Sequence, residues 1–151
     1  MVIADGNEIT GFGDVRLYVL NPPQDTNFSD PNNNSIVIKL EYEKFGALFT
    51  GDISSDAMER IIPRDSLLSS DVLKIPHHGG SLGKKSVANR FFRQVSAQVS
   101  VTSSGGRYDK RLKKKRAHSS GAQDYDTKVN GAITIFTKGD GFKIETFCQK
   151  N

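Results

Sequence analysis

The fold is predicted from the stretch SIVIKLEYEKFGALFTGD at residues 35–52. Its first eight residues have the composition of a β-strand and partly alternate between apolar and polar side chains. A turn at residues 44–46 leads into a second apolar run at residues 47–50. We therefore predict a β-hairpin that ends at Gly51 and Asp52.

A helix and a further strand are predicted directly after this hairpin. Either Ser54 or Ser55 can cap a short helix, because both precede acidic residues that suit a helix N-terminus. The helix ends before Pro63, whose ring cannot continue it. A short apolar strand follows at residues 71–75 and leads to His77.

A second helix begins with Ser86 as its N-terminal cap, and its apolar residues have helical spacing through Val95. Alternating residues predict another strand at residues 98–102. Near the end of the chain, a Gly-rich turn joins two strands at residues 132–137 and 142–147.

Two further patterns complete the predicted fold. Alternation at residues 15–20 predicts a strand, and the almost wholly polar residues 24–34 predict a surface loop. Strands outnumber helices, and the helices are inserted between strands. The predicted fold class is therefore α+β, with a mixed sheet and helices on one face.

Length and composition are those of one domain. The chain has 151 residues, of which 36% are hydrophobic and 25% charged, so a modest core is expected. No apolar stretch approaches the roughly 18 residues of a membrane-spanning helix, and no signal peptide is recognised. The single cysteine, Cys148, cannot form an internal disulfide, which leaves any metal to histidine and carboxylate ligands.

The net charge of +4 comes from one segment. Seven basic residues against one acid give residues 107–116 a local charge of +6 and leave −2 for the rest of the chain. The basic residues are Arg107, Lys110, Arg111, Lys113, Lys114, Lys115 and Arg116. Such a segment is typical of phosphate binding, and it is equally typical of a solvated helix face or a loop.

Two strand ends carry residues suited to chemistry. Asp52 follows Gly51 at the end of the hairpin, and His77 and His78 follow the next strand. Imidazole is the commonest metal ligand and a general acid or base near neutral pH. The alternatives are that Asp52 is a turn or cap residue, and that one histidine packs while the other is solvated. The third histidine, His118, is isolated in a polar stretch.

These residues belong to a longer series of motifs. The main motifs are NSIVI at residues 34–38, LFTGDI at residues 48–53 and DVLKIPHHGGS at residues 71–81. Shorter matches are VLNP at residues 19–22, SVTS at residues 100–103, and Thr127 followed by GAITI at residues 131–135. In order and spacing, the series closely resembles the second half of the metallo-β-lactamase-like hydrolase domain, and most of all the variant in ComEC-type competence proteins.

The resemblance implies the C-terminal half of an αββα sandwich and a site with two metal ions, usually zinc. Asp52 would bridge the two ions, and either His77 or His78 would bind one of them while the other contacts substrate or a neighbouring ligand. These three residues would be the catalytic and metal-binding residues of this chain. Two adjacent cations activate a bridging hydroxide and bind both oxygens of a phosphodiester during its hydrolysis.

The chain departs from the family in two places. The first-half motif His-x-His-x-Asp-His and a further histidine are absent, so residues 1–151 would form a partial domain with an incomplete metal site. The chain would then be a fragment, a degenerate homologue, or one half of a site completed by a partner chain. After Gly106 the family's loop is replaced by the basic segment, in which Tyr108 is the one possible remnant of substrate contacts.

Three functions are therefore compatible with the sequence. The first is part of a metal-dependent hydrolase acting on a phosphodiester such as nucleic acid, inactive without its missing half. The second is a non-catalytic module that binds nucleic acid or an acidic partner through Arg107 to Arg116. The third is a product without its own function, which would dimerise through an exposed apolar face. Localisation is left open, since a ComEC-type parent would be anchored by membrane segments.

Overall fold

The computed structural model describes residues 4–25, 27–105 and 121–148. Nine strands are present in this part of the chain: β1 Glu8–Ile9, β2 Arg16–Asn21, β3 Val37–Tyr42, β4 Phe45–Phe49, β5 Val72–Lys74, β6 Val99–Thr102, β7 Gln123–Asp126, β8 Ile133–Thr137 and β9 Phe142–Thr146. The helices are α1 Ser55–Ile61, α2 Asp65–Leu68, α3 Lys85–Val95 and α4 Thr127–Asn130, and 3₁₀ turns lie at Pro31–Asn34 and Pro76–Gly79.

Strands β1 to β7 form one sheet in sequence order. The pairs from β1 to β4 are antiparallel, and the pairs from β4 to β7 are parallel. The predicted hairpin is confirmed as β3 and β4, in which Tyr42 pairs with Phe45. Its turn lies at residues 43–44, earlier than the predicted 44–46, because Phe45 and Gly46 already pair in β4. Parallel neighbours need crossover connections, and α1, α2 and α3 supply two of them. The predicted α+β class with a mixed sheet is confirmed.

The larger core lies between the sheet and its helices. Leu20, Leu48 and Leu73 point from three strands toward Met58 of α1 and Phe91 of α3. Most of these side chains are completely buried, and together they remove a large apolar area from water. Helices α1, α2 and α3 all contribute to this one core, as the sequence pattern predicts for helices on one face.

The hairpin of β8 and β9 packs on the opposite face of the sheet. Phe142 of the hairpin lies with its ring centroid 5.7 Å from that of Phe45, and the Lys44 N–H donates to the carbonyl of Gly139 at 2.8 Å. Ala47 and Val72 are buried in the same small core. The molecule is thus layered as helices, a seven-stranded sheet and a two-stranded hairpin.

Three local predictions are wrong for identifiable reasons. Neither serine hydroxyl caps α1, because the Ser54 hydroxyl donates to the side-chain oxygen of Asn33. Ser86 lies inside α3, which begins at Lys85. The loop at residues 24–34 is not wholly on the surface, because Asn33 is buried beneath α1 and accepts its N-terminal N–H groups.

Strand β7 and helices α2 and α4 are missed by the sequence patterns. Residues 123–126 read QDYD, which lacks the apolar alternation that marks a strand. The strand forms because it lies at the edge of the sheet and pairs with β6. Within the described ranges, no helix combines the length and hydropathy that crossing a membrane would require.

Candidate functional site

The carboxyl ends of β4, β5 and β6 meet at one edge of the sheet, because these strands are parallel neighbours. Asp52 follows β4, His77 and His78 follow β5, and Ser103 follows β6. In open sheets with parallel strands, ligand sites are built at this edge. The two loci predicted from the sequence are therefore brought together by the fold.

Gly51 allows the chain to approach its neighbour closely enough to place Asp52. Its φ is +55°, and a Cβ atom on it would lie 2.6 Å from the Cβ of Ser35. Only glycine fits both the left-handed conformation and this contact. The Asp52 N–H donates to the Ser35 hydroxyl at 3.1 Å, so the backbone that carries the carboxylate is held directly.

His77 and His78 are consecutive residues with left-handed backbone conformations, φ 49° and φ 50°. This region is sparsely populated by residues other than glycine, and such strain persists where the surroundings hold it in place. The His77 N–H donates to the carbonyl of Gly51 at 3.2 Å, and the Gly80 N–H donates to the carbonyl of His77. The turn at Pro76–Gly79, which contains both histidines, is thereby attached to the loop that carries Asp52.

The structure distinguishes the two histidines. The Nδ1 atom of His78 lies 2.7 Å from the carbonyl oxygen of Ser103, and its Nε2 atom lies 3.5 Å from Oδ1 of Asp52. The ring of His77 instead contacts the carbonyl of Ser81, through Nδ1 at 3.0 Å. His78 therefore faces Asp52, a choice that the sequence leaves open.

The bond to Ser103 determines which nitrogen of His78 carries the proton. A carbonyl oxygen only accepts hydrogen bonds, so Nδ1 of His78 is the donor and, in the neutral ring, Nε2 keeps its lone pair. That lone pair faces the carboxylate of Asp52, which also only accepts. Two acceptors in this arrangement attract each other only when a proton or a metal cation lies between them.

Lys74, the last residue of β5, is a further ionisable side chain of the site and was not singled out from the sequence. Its ammonium lies 3.8 Å from Oδ1 of Asp52 and donates to the carbonyl of Gly51 at 3.0 Å. Burial lowers the pKa of Lys74, while the charge and hydrogen bond of Asp52 act in the opposite direction. Its sequence signal is a lysine that ends a short apolar strand three residues before His77.

The site is open to solvent. The side chain of His78 is 57% exposed and that of Asp52 is 37% exposed, so a ligand can reach both. Their donor chemistry fits zinc, which binds carboxylate oxygen and imidazole nitrogen. Their number is too small for a complete centre: across the described ranges, no three His, Cys, Asp or Glu side chains form a group that could hold a metal.

The predicted substrate-binding residues lie outside the residues that the structure describes. They are Arg107, Tyr108, Lys110, Arg111, Lys113, Lys114, Lys115 and Arg116. His118 lies in the same part of the chain. The described segment before these residues ends at Gly105, two residues after Ser103, whose carbonyl accepts from His78.

Comparison with known proteins adds two distant relatives. No family model matches the chain. The chain is 27% identical to ComE operon protein 3 of Bacillus subtilis (strain 168) over 92 residues, which are 61% of this chain and 11% of that protein. It is 28% identical to Uncharacterized protein YcaI of Escherichia coli (strain K12) over 124 residues, which are 79% of this chain and 16% of that protein.

The chain is weakly similar to part of ComE operon protein 3. This similarity agrees with the ComEC-type resemblance of the motifs. The chain covers only a small share of the relatives it matches. The metallo-β-lactamase assignment stays a prediction.

Proposed function

We propose that this chain supplies part of the metal centre of a hydrolase, with Asp52 and His78 as two of its ligands. One observation carries the proposal: the Nε2 atom of His78, which keeps its lone pair in the neutral ring, lies 3.5 Å from a carboxylate oxygen of Asp52. A zinc ion is the cation whose ligand preferences match these two donors. The other ligands would come from outside the described residues, in the same polypeptide or in a partner chain.

The proposed reaction is hydrolysis of a phosphodiester, with nucleic acid as the substrate class. A pair of zinc ions in such a centre would activate water near neutral pH and neutralise charge on the phosphate. The residues of this chain would bind the cation, position the backbone and attract the substrate. Asp52 and His78 would hold the cation, and Lys74 would keep the Gly51 carbonyl in place. His77 would lie at the substrate side, and the basic segment would attract the polyanion.

Zinc binding tests the ligand assignment. The chain is equilibrated with Zn²⁺, and bound zinc is measured by plasma mass spectrometry. We expect Asp52→Ala and His78→Asn to reduce bound zinc at least tenfold, because each removes one of the two donors. We expect His77→Asn to retain most of it, and asparagine is chosen because it tolerates the left-handed backbone. Equal loss in the two histidine variants, or zinc retained in Asp52→Ala, would contradict the assignment.

A second candidate function rests on the charge of residues 107–116. This segment carries +6 and could hold nucleic acid without any metal. Substituting Lys113, Lys114 and Lys115 by alanine should then weaken binding to a DNA duplex and reduce its salt dependence, by about one unit of slope for each phosphate no longer neutralised. Asp52→Ala should leave this binding unchanged. Unchanged affinity after the lysine substitutions would exclude this function.

A further inference from the structure

A group of hydrogen bonds behind the candidate site holds the carbonyl that orients His78. The backbone N–H of Ser104 donates to the Thr127 hydroxyl at 2.9 Å, and that hydroxyl donates to the carbonyl of Ser104 at 3.0 Å. The Ser104 hydroxyl donates to a carboxylate oxygen of Asp126. Ser104 is therefore fixed through its side chain and both of its backbone polar groups. We call Ser104, Asp126 and Thr127 the Ser104 anchor.

The anchor is itself rigidly placed. Asp126 is almost completely buried at the end of β7, where it pairs with Thr102 of β6. Its carboxylate also accepts from the Lys128 N–H at 2.9 Å, and its own N–H donates to the side chain of Asn130 at 2.9 Å. The start of α4 and the end of β7 thus form one hydrogen-bonded unit. A buried carboxylate with several charge-assisted bonds holds its partners strongly.

The neighbour of Ser104 in the chain is the residue that touches the candidate site. The carbonyl of Ser103 accepts from Nδ1 of His78 at 2.7 Å, and the opposite nitrogen of that ring faces Asp52. A hydrogen bond to one ring nitrogen sets the tautomer and orientation of a histidine whose other nitrogen binds a ligand. The Ser104 anchor acts on His78 through this carbonyl.

We infer that Asp126 and Thr127 are positioning residues of the site. They hold the Ser103–Ser104 backbone so that His78 is protonated at Nδ1 and presents the lone pair of Nε2 to Asp52. The inference about the tautomer concerns this chain alone, and its value for metal binding rests on the proposed function. The effect of Asp126 and Thr127 on the His78 ring is transmitted by the backbone of residues 103 and 104.

The tautomer of His78 can be measured directly by long-range ¹H–¹⁵N NMR of the metal-free chain. The spectrum is recorded at about pH 8.5, about two units above the pKa of histidine in model peptides. In the unsubstituted chain we expect His78 to be protonated at Nδ1. Thr127→Val should change the ratio of its two tautomers at least about fivefold, equivalent to about 1 kcal/mol. Ser104→Ala should act in the same direction.

Two controls separate positioning from a general loss of structure. His77 donates through Nδ1 to Ser81, outside the anchor, so its tautomer should not change in either variant. Thr137→Val is the matched substitution, because the Thr137 hydroxyl also accepts from a backbone N–H and donates to a carbonyl, both in the β8–β9 turn. It should leave the tautomer of His78 unchanged.

The tautomer ratio of His78 in these variants supports or overturns the positioning role of Asp126 and Thr127. A shift at His78 with His77 unchanged supports it. An unchanged His78 in both anchor variants, or an equal shift in Thr137→Val, overturns it. Because no metal is present, the result is independent of zinc binding: failure of the zinc test with an intact tautomer response would contradict the proposed function and leave the positioning role standing.

Discussion

Consecutive left-handed residues at His77 and His78 are the most unusual local feature of the chain. Residues other than glycine adopt this conformation at a cost of about 1–2 kcal/mol each. The Gly51 carbonyl helps to hold this turn in place, because it accepts hydrogen bonds from the His77 N–H and the Lys74 ammonium. Strain concentrated at a strand end beside an exposed carboxylate is typical of functional sites.

Gly51→Ala should lower the free energy of unfolding by about 2–4 kcal/mol and reduce zinc binding. The added methyl meets Ser35 at 2.6 Å and also places alanine in the left-handed region. Urea denaturation measures the first effect and metal content the second. Gly13→Ala is the control, because Gly13 also has a positive φ, of 64°, and nothing lies within 4 Å of its added Cβ. A similar loss in both variants would contradict the steric explanation.

Lys39 should make stability depend on pH. It is buried in β3, where its ammonium donates to the carbonyl of Ser69 and to the Ser70 hydroxyl. Burial lowers its pKa in the folded state, although Glu41 and Asp71 oppose the shift. Between this lowered pKa and the unfolded value of ~10.4, the unfolded chain binds more protons, so stability rises with pH.

The measurement compares the unsubstituted chain with Lys39→Met in urea at several pH values from neutral to about 10, below the unfolded pKa of lysine. The stability of the unsubstituted chain relative to Lys39→Met should increase as pH rises, because the penalty for a buried ammonium disappears when it loses its proton. Parallel stability curves for the two proteins would show that Lys39 does not contribute this pH dependence.

At the scale of elements, α1 depends on a residue far from it in sequence. The side-chain oxygen of Asn33 accepts from the Ser54 N–H at 2.8 Å, the Ser54 hydroxyl at 3.1 Å and the Ala57 N–H at 3.4 Å. The Asn33 side chain therefore caps α1, the role that the sequence predicts for Ser54 or Ser55. Asn21 holds the same turn from β2, because its amide donates to the carbonyls of Asn33 and Ser35.

Asn33→Ala should destabilise the protein by about 2–3 kcal/mol, because it leaves buried N–H groups at the start of α1 without an acceptor. Thermal or urea unfolding measures the loss. Asn32→Ala is the matched control in the same turn, where Asn32 contributes backbone groups to the hydrogen bonds with Asp30 and Ser35. Its cost should stay within about 0.5 kcal/mol. Equal costs would contradict a capping role for Asn33.

At the scale of the whole molecule, the two faces of the sheet are covered unequally. Three helices cover one face, and the β8–β9 hairpin packs on Phe45, Ala47, Val72 and Val99 of the other. On that second face, Phe49 lies between Ile38 and Lys74, its partners on the two neighbouring strands. The side chain of Phe49 is 47% exposed. Exposed aromatic side chains on a sheet face favour association. Dimerisation through this face stays a prediction.

Phe49→Thr should reduce self-association and leave the fold intact, because threonine keeps a high strand propensity. Analytical ultracentrifugation over a range of concentrations measures the effect. Phe136→Thr is the control, since Phe136 is 51% exposed and alternates with the inward-facing Ile135 on the hairpin. A monomer at every concentration, or association lost only in Phe136→Thr, would contradict dimerisation through the sheet face.

Local sequence patterns are sufficient to predict the hairpin of β3 and β4, the α+β class and the two loci of the site. The signals are alternation, strand composition, and polar residues directly after apolar strands. The resemblance of the motif series implies Asp52 as one metal ligand and His77 or His78 as another, and both assignments stay predictions. Strand β7 gave no such signal, because its residues are polar and it forms by pairing with β6.

Contacts between distant segments, in contrast, decide which histidine faces Asp52 and what holds it there. Adjacent residues point in different directions according to backbone angles that neighbouring segments impose, and no local pattern reports those angles. The acceptors for the two rings, Ser81 and Ser103, lie four and 25 positions away in sequence. The buried caps and anchors, Asn33 and Asp126, likewise act on residues distant in sequence, because buried polar groups must find partners wherever the fold places them.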